Sequence, residues 1–180
     1  MKKQIHKMVI AALAMGAALS VITVQAAEDI RSECSQAIAN FKNADPEMQN
    51  LMNTSAGYAV FPNVGKGGFI VGGARGKGLL FENGNAIGET TMTQASIGAQ
   101  AGGQTFAELI LFQTPAALNN FKSSNFEMSA GVSGVVAAQG VAKVAKYNDG
   151  VAVFTLPKKG LMGEAAVGGQ KFKYVPMATR

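Results

Sequence analysis

The stretch Tyr58-Ala59-Val60-Phe61-Pro62-Asn63-Val64-Gly65-Lys66-Gly67-Gly68-Phe69-Ile70-Val71-Gly72-Gly73-Ala74-Arg75-Gly76-Lys77-Gly78-Leu79-Leu80-Phe81 decides the fold. Its apolar runs are short and bounded by glycine, the pattern of buried or half-buried strands and not of helix. Glycine inside such runs marks a tight bend, a bulge or the close approach of another backbone or a ligand. Strands are expected over 58–61, 68–75 and 78–82, which makes this stretch the first coiled hairpin of an antiparallel sheet. Its cations are Lys66, Arg75 and Lys77.

Downstream, the same pattern predicts strands over 86–93, 96–104 and 106–112, with Asn83-Gly84-Asn85 as a hairpin turn. Twelve of the 22 glycines fall within residues 65–103. That density suits strongly curved strands, closing as a sandwich or partial barrel, better than a flat sheet. Further along, Thr114-Pro115 is an N-cap followed by proline, which starts a helix to about residue 122 with Leu118 and Phe121 facing inward. Residues 128–136 fit strand or helix. Asn148-Asp149-Gly150 is a turn before a strand at 151–156, and 171–175 makes the last strand. A faint echo links Phe61-Pro62…Lys66-Gly67-Gly68 to Phe154…Pro157…Lys159-Gly160-Leu161.

Upstream, Ile30, Cys34, Ile38 and Phe41 recur on one face of an amphipathic helix over 28–43. Asp45-Pro46 is expected to cap a second short helix to about residue 52. The expected fold class is therefore α+β, with N-terminal helices packed on a glycine-rich, strongly curved antiparallel sheet. Cys34 is the only cysteine, which rules out an intrachain disulfide, and its helical spacing favours a buried apolar role.

Residues 1–26 have the form of a secretory signal. Lys2, Lys3 and Lys7 precede an almost wholly apolar run from Met8 to Val24 that leads into the A-x-A-like site Val24-Gln25-Ala26; at about 17 residues the run is short for a membrane span. Cleavage after Ala26 would make the protein periplasmic, with residues 27–53 a helical segment and 54–180 the main part of one folding unit. It would also take three cations, leaving 13 Lys+Arg against 11 acids. From residue 140 onward the charge is unevenly basic: Lys143, Lys146, Lys158, Lys159, Lys171, Lys173 and Arg180 face only Asp149 and Glu164. Such an imbalance marks either a surface for an anionic partner or a solvated face.

Catalytic chemistry finds little support. The single histidine, His6, lies in the signal-like segment, which leaves no Ser-His-Asp or Cys-His pair and no histidine metal ligand. Gly65-Lys66-Gly67-Gly68 and Gly76-Lys77-Gly78 set backbone amides beside a cation, as a phosphate cradle does. The nucleotide spacings fail, because Val71 and Gly78 stand where a P-loop needs Gly and Ser or Thr. Strand bends, or contact with an anionic head group, remain for these loops. No enzyme, cofactor or metal is expected. Nucleic-acid binding is disfavoured by the absence of Trp, by aromatics spaced as core residues and by export.

At Gly57-Tyr58-Ala59-Val60-Phe61-Pro62, Lys66-Gly67-Gly68-Phe69, Gly72-Gly73, Gly76-x-Gly78, Ser96-Ile97-Gly98-Ala99-Gln100-Ala101-Gly102 and Lys159-Gly160-Leu161-Met162-Gly163 the chain resembles the SYLF domain family, over roughly residues 54–169. The resemblance implies a lipid-binding module; eukaryotic members bind phosphoinositides and some bind actin, and bacterial members are mostly exported. The chain departs from the family where an aromatic Trp-Ser segment is usual, here Gly84-Asn85-Ala86-Ile87-Gly88-Glu89, and in its acidic N-terminal helix. The expected function is a periplasmic module contacting phospholipid or another anionic amphiphile at a membrane surface. Lys66, Arg75, Lys77, Lys158 and Lys159 are its candidate contacts. The alternative is a structural protein that meets an envelope protein partner without a lipid ligand.

Overall fold

The computed structural model describes residues 28–68, 71–97, 104–123, 126–128, 133–159, 165–166 and 169–177. The signal-like segment and the expected strand residues 98–103 lie outside them. Helix α1 (28–44) and helix α2 (Met48–Thr54) lead into four long strands. These are β1 (Gly57–Gly68), β2 (Val71–Glu82), β3 (Asn85–Ile97) and β4 (Gln104–Phe112). Helix α3 (Pro115–Lys122) follows, and then β5 (Phe126–Glu127), β6 (Ser133–Val136), β7 (Val151–Lys159), β8 (Ala165–Ala166) and β9 (Gln170–Pro176). The strands form one sheet in the order β5-β9-β3-β2-β1-β4-β7-β6-β8. Every pairing is antiparallel except β6 with β7.

Period-two alternation sends consecutive side chains to opposite faces of this sheet. In β4, Phe106, Ile110 and Phe112 join one apolar cluster, and Ala107, Leu109 and Leu111 join the other. The first cluster fills the concave side with Phe61, Met92 and Phe172, closed over by Leu118 and Phe121 of α3. The second lies on the convex side under Cys34, Ala37 and Phe41 of α1 and Met48 and Met52 of α2. Each fully buried phenylalanine in these layers contributes about 1.5–3 kcal/mol of transfer free energy. The curl is tight: the rings of Phe61 on β1 and Phe172 on β9 pack 5.7 Å apart, although β2 and β3 lie between their strands. The molecule is a half-barrel with a packed lumen.

The opening stretch is a hairpin, as its composition predicts, but its strands are longer than expected. β1 and β2 pair from Tyr58↔Phe81 to Gly68↔Gly72, so both Gly-Lys-Gly segments are strand and not bend. In the second segment close approach demands glycine, at Gly76 and Gly78, whereas Gly65 in the first meets nothing within 4 Å. A Cβ on Gly78 would stand 2.1 Å from the Val60 carbonyl oxygen and 2.9 Å from the Phe61 ring. The missing side chain lets Phe61 fill the lumen. Breaking this region into short strands at each glycine is therefore corrected.

The turns follow their chemistry. Asn83 and Gly84 both take positive φ (51° and 76°), the two-residue turn that matches strand twist. Asp149 and Gly150 repeat the device at 51° and 75° before β7. Thr114 caps α3 by accepting from the Ala117 amide at 3.2 Å. The second helix starts later than Asp45-Pro46 predicts. The Asp45 carboxylate accepts instead from the amides of Glu47 (3.1 Å) and Ala142 (2.9 Å), tying the α1–α2 corner to the 3₁₀ turn Ala142–Val144. These bonds, that to Ala142 foremost, hold its carboxyl below the ordinary carboxylate value. The echo between Phe61-Pro62 and Phe154…Pro157 has a structural counterpart. β1 and β7 flank β4 on either side, and each slips register against it beside its proline.

Candidate functional site

The convex face is only partly covered. Helices α1 and α2 sit over Tyr58, Val60, Leu79 and Phe81, while beyond Leu79 the same face of β2, β3 and β9 carries polar residues. Register puts them in rows. Arg75 stands opposite Thr93, and Thr93 opposite Lys171; Lys77 stands opposite Thr91, and Thr91 opposite Lys173. The two rows lie two residues apart, about 7 Å, and each spans two strand spacings, about 10 Å. Four exposed cations therefore stand at the corners of a lattice whose middle column is threonine.

The lower row extends across the sheet. Asn63 of β1 pairs with Lys77, and its Oδ1 accepts from Lys158 Nζ at 2.9 Å while its Nδ2 donates to Glu33 Oε2 at 3.0 Å. Lys158, Asn63, Lys77, Thr91 and Lys173 thus make one polar stripe. A groove of about 550 Å³ is lined by Arg75, Thr91, Thr93, Lys171 and Lys173 of the lattice together with Phe126, Glu127 and Phe172. Glu127 of β5 pairs with Lys171 at 2.7 Å. Both side chains are more than 60% exposed, so the pair is easily exchanged for another anion.

Of the residues singled out from sequence, Arg75 and Lys77 are neighbours in this lattice, and Lys158 joins them through Asn63. Lys66 and Lys159 are placed by backbone alone, Lys66 opposite Ala74 and Gln104 and Lys159 opposite Thr105; their side chains lie outside the described residues. Lys171 and Lys173 complete the lattice. They are part of the basic C-terminal third of the sequence, but only the β3–β9 pairing brings them beside Arg75 and Lys77. Thr91 and Thr93 were not legible as site residues, because isolated threonines in a strand are unremarkable until register is known.

A second polar group sits in the lumen. Glu108, on the same face of β4 as Phe106 and Ile110, is fully buried. Its Oε2 accepts from Gln170 Nε2 at 3.1 Å, and the same amide reaches Gln94 Oε1 at 3.3 Å. Burial pushes the Glu108 carboxyl up to about 7, against a small opposing effect of the Gln170 bond. The sequence signal is the acid inside Phe106-Ala107-Glu108-Leu109-Ile110-Leu111-Phe112, at a core-facing position of an otherwise apolar strand.

Cys34 is wholly buried, its Sγ 3.5 Å from the Val60 carbonyl oxygen, and burial pushes the thiol up to about 12. Such a thiol carries almost no thiolate at neutral pH and is a packing residue. Among the described residues no three of His, Cys, Asp and Glu cluster as a metal set, and no helix is long and apolar enough to cross a membrane.

No family model matches the chain. Beta cell expansion factor A of Aeromonas veronii is 27% identical to it over 146 residues, which cover 79% of this chain and 55% of that protein. The chain spans little more than half the length of that relative.

Proposed function

We propose that the protein is a non-enzymatic, exported lipid-binding module that meets anionic phospholipid with the convex face of β2, β3 and β9. The observation that carries this reading is the cation lattice of Arg75, Lys77, Lys171 and Lys173 around Thr91 and Thr93. Cations on one extended surface suit an array of head groups better than a single buried ligand. The hydroxyls add hydrogen-bond donors to oxyanions. The SYLF-like motifs support the same class, since they run through β1 and β2, the hairpin that presents Arg75 and Lys77. A signal-like N-terminus supports export, which would bring such a surface near an envelope membrane.

Each cation near an anionic leaflet contributes about 1 kcal/mol. Five cations, with Lys158, less Glu89 and Glu127 on the same face and Glu33 beside Asn63, leave about 2 kcal/mol, a weak and reversible attachment. Attraction of this kind fades beyond a Debye length of about 8 Å at physiological salt. Co-sedimentation with phosphatidylglycerol and phosphatidylcholine vesicles tests it. Retention by the anionic vesicles at low salt, lost at high salt and absent with the zwitterionic ones, is the expected result. Equal retention by both vesicle types would sink the electrostatic reading.

A further inference from the structure

The lumen holds an imbalance that membrane attachment does not use. Glu108 Oε1, Thr155 Oγ1 and Gln170 Oε1 are buried oxygens without a hydrogen-bond partner. They belong together. Glu108 and Thr155 are direct partners across the β4–β7 ladder and share its concave face, and the Gln170 amide already touches Glu108. Gln170 and Gln94 are likewise direct partners across β3 and β9, so the group spans both walls of the half-barrel.

Among the described side chains, the ionisable groups packed around this lumen do not supply a counter-charge. Lys122 of α3 is paired with Glu82 of β2 at 2.9 Å, and the Tyr174 hydroxyl of β9 donates to the Ile87 carbonyl. β1 contributes Phe61 opposite Glu108, and β7 contributes Thr155. A buried carboxylate in such surroundings either stays protonated or takes up a cation.

The unmet needs are one negative charge and three oxygen acceptors. A single ammonium group matches both, carrying one positive charge and donors for three oxygens. We infer that the lumen beside Glu108 is a binding site for one small monovalent cation of the ammonium type, with Glu108 as its charge partner and Thr155 and Gln170 as its oxygen ligands. Loading exchanges a proton for the cation: Glu108 releases its proton to solvent as the cation enters, and the site stays neutral throughout. One carboxylate with hydroxyl and amide oxygens is a hard donor set, too weakly charged for a divalent ion.

Thermal unfolding of the full chain tests this with ammonium chloride against tetramethylammonium chloride at equal ionic strength. The bulky ion controls for screening and does not fit among packed side chains. At pH 8.5 ammonium is expected to raise Tm by at least about 2 °C in a saturable manner, and at pH 5, where Glu108 keeps its proton, to do nothing. Glu108→Gln should abolish the difference. The comparison of salts on the wild-type chain stands even where that variant folds poorly, and Thr155→Val, which keeps the charge, should weaken the ammonium response without removing it. Identical Tm values in the two salts at pH 8.5 would overturn the site and leave the lumen to water and a proton.

Discussion

Gln170 Nε2 on β9 lies 3.1 Å from Glu108 Oε2 on β4, although three strands separate β9 from β4 in the sheet. The hydrogen bond crosses the lumen, and with the Phe61–Phe172 ring contact it joins the two walls of the half-barrel. A polar bridge in so apolar an interior ties stability to the protonation of one carboxyl.

That coupling has a direction. The carboxyl titrates at 4.5 when exposed and is pushed up to about 7 in the fold. Between these values the folded state binds more protons than the unfolded chain. Stability therefore falls as pH rises from about 4.5 to about 7 and stays at its lower level above, unless a cation compensates. The displacement corresponds to on the order of 3 kcal/mol. Urea titrations from pH 4.5 to 8 in tetramethylammonium buffer should show this decline in the wild type and a flatter profile in Glu108→Gln. Parallel profiles would remove Glu108 as its source.

Asp45 acts in the opposite sense. Its folded carboxyl lies below the ordinary value of 3.8, so its contribution is present above that value and lost as pH falls through the folded one. Asp45→Ala strips the acceptor from the Glu47 and Ala142 amides, the second of them 97 residues away in sequence. A lower urea midpoint with an unchanged slope is expected, with amide exchange quickening first around residues 140–145. An unchanged midpoint would mean that the corner is held by packing alone.

The glycines of β1 and β2 divide into two kinds. Gly78→Ala drives a Cβ into the Val60 carbonyl and the Phe61 ring and should cost about 2–3 kcal/mol. Gly65→Ala meets nothing within 4 Å and should stay within about 0.5 kcal/mol of wild type. Equal losses at the two positions, measured by chemical denaturation, would show that strand flexibility and not close approach explains the glycines.

Much of this architecture was legible in the chain. The 3.6-residue spacing of Ile30, Cys34, Ile38 and Phe41 located α1, Thr114-Pro115 located α3, and Asn83-Gly84 located the β2–β3 turn. Strand lengths were not legible, because glycine at 65, 67, 76 and 78 gives the same local signal whether the chain bends or another group packs against it. The site divided in the same way. Arg75 and Lys77 stood out beside glycine, but their partners Lys171 and Lys173 lie almost 100 residues away and meet them only through a pairing that no local pattern encodes. Glu108 was hidden among scattered acids until strand alternation turned it inward.

The convex lattice is the surface proposed to meet the membrane, and charge reversal addresses it directly. Arg75 and Lys173 occupy opposite corners, both exposed, so reversing them should leave the two apolar layers intact. The measurement is co-sedimentation with phosphatidylglycerol vesicles at low salt for the wild type, for Arg75→Glu with Lys173→Glu, and for Lys146→Glu, an exposed cation outside the lattice. At about 1 kcal/mol per cation, the double reversal is expected to lower the vesicle partition coefficient at least about tenfold. The Lys146 variant should stay within about twofold of wild type, since one remote, screened charge contributes little. A double variant that binds as tightly as the wild type, or a loss of equal size in both variants, would contradict a lipid-binding role for this face.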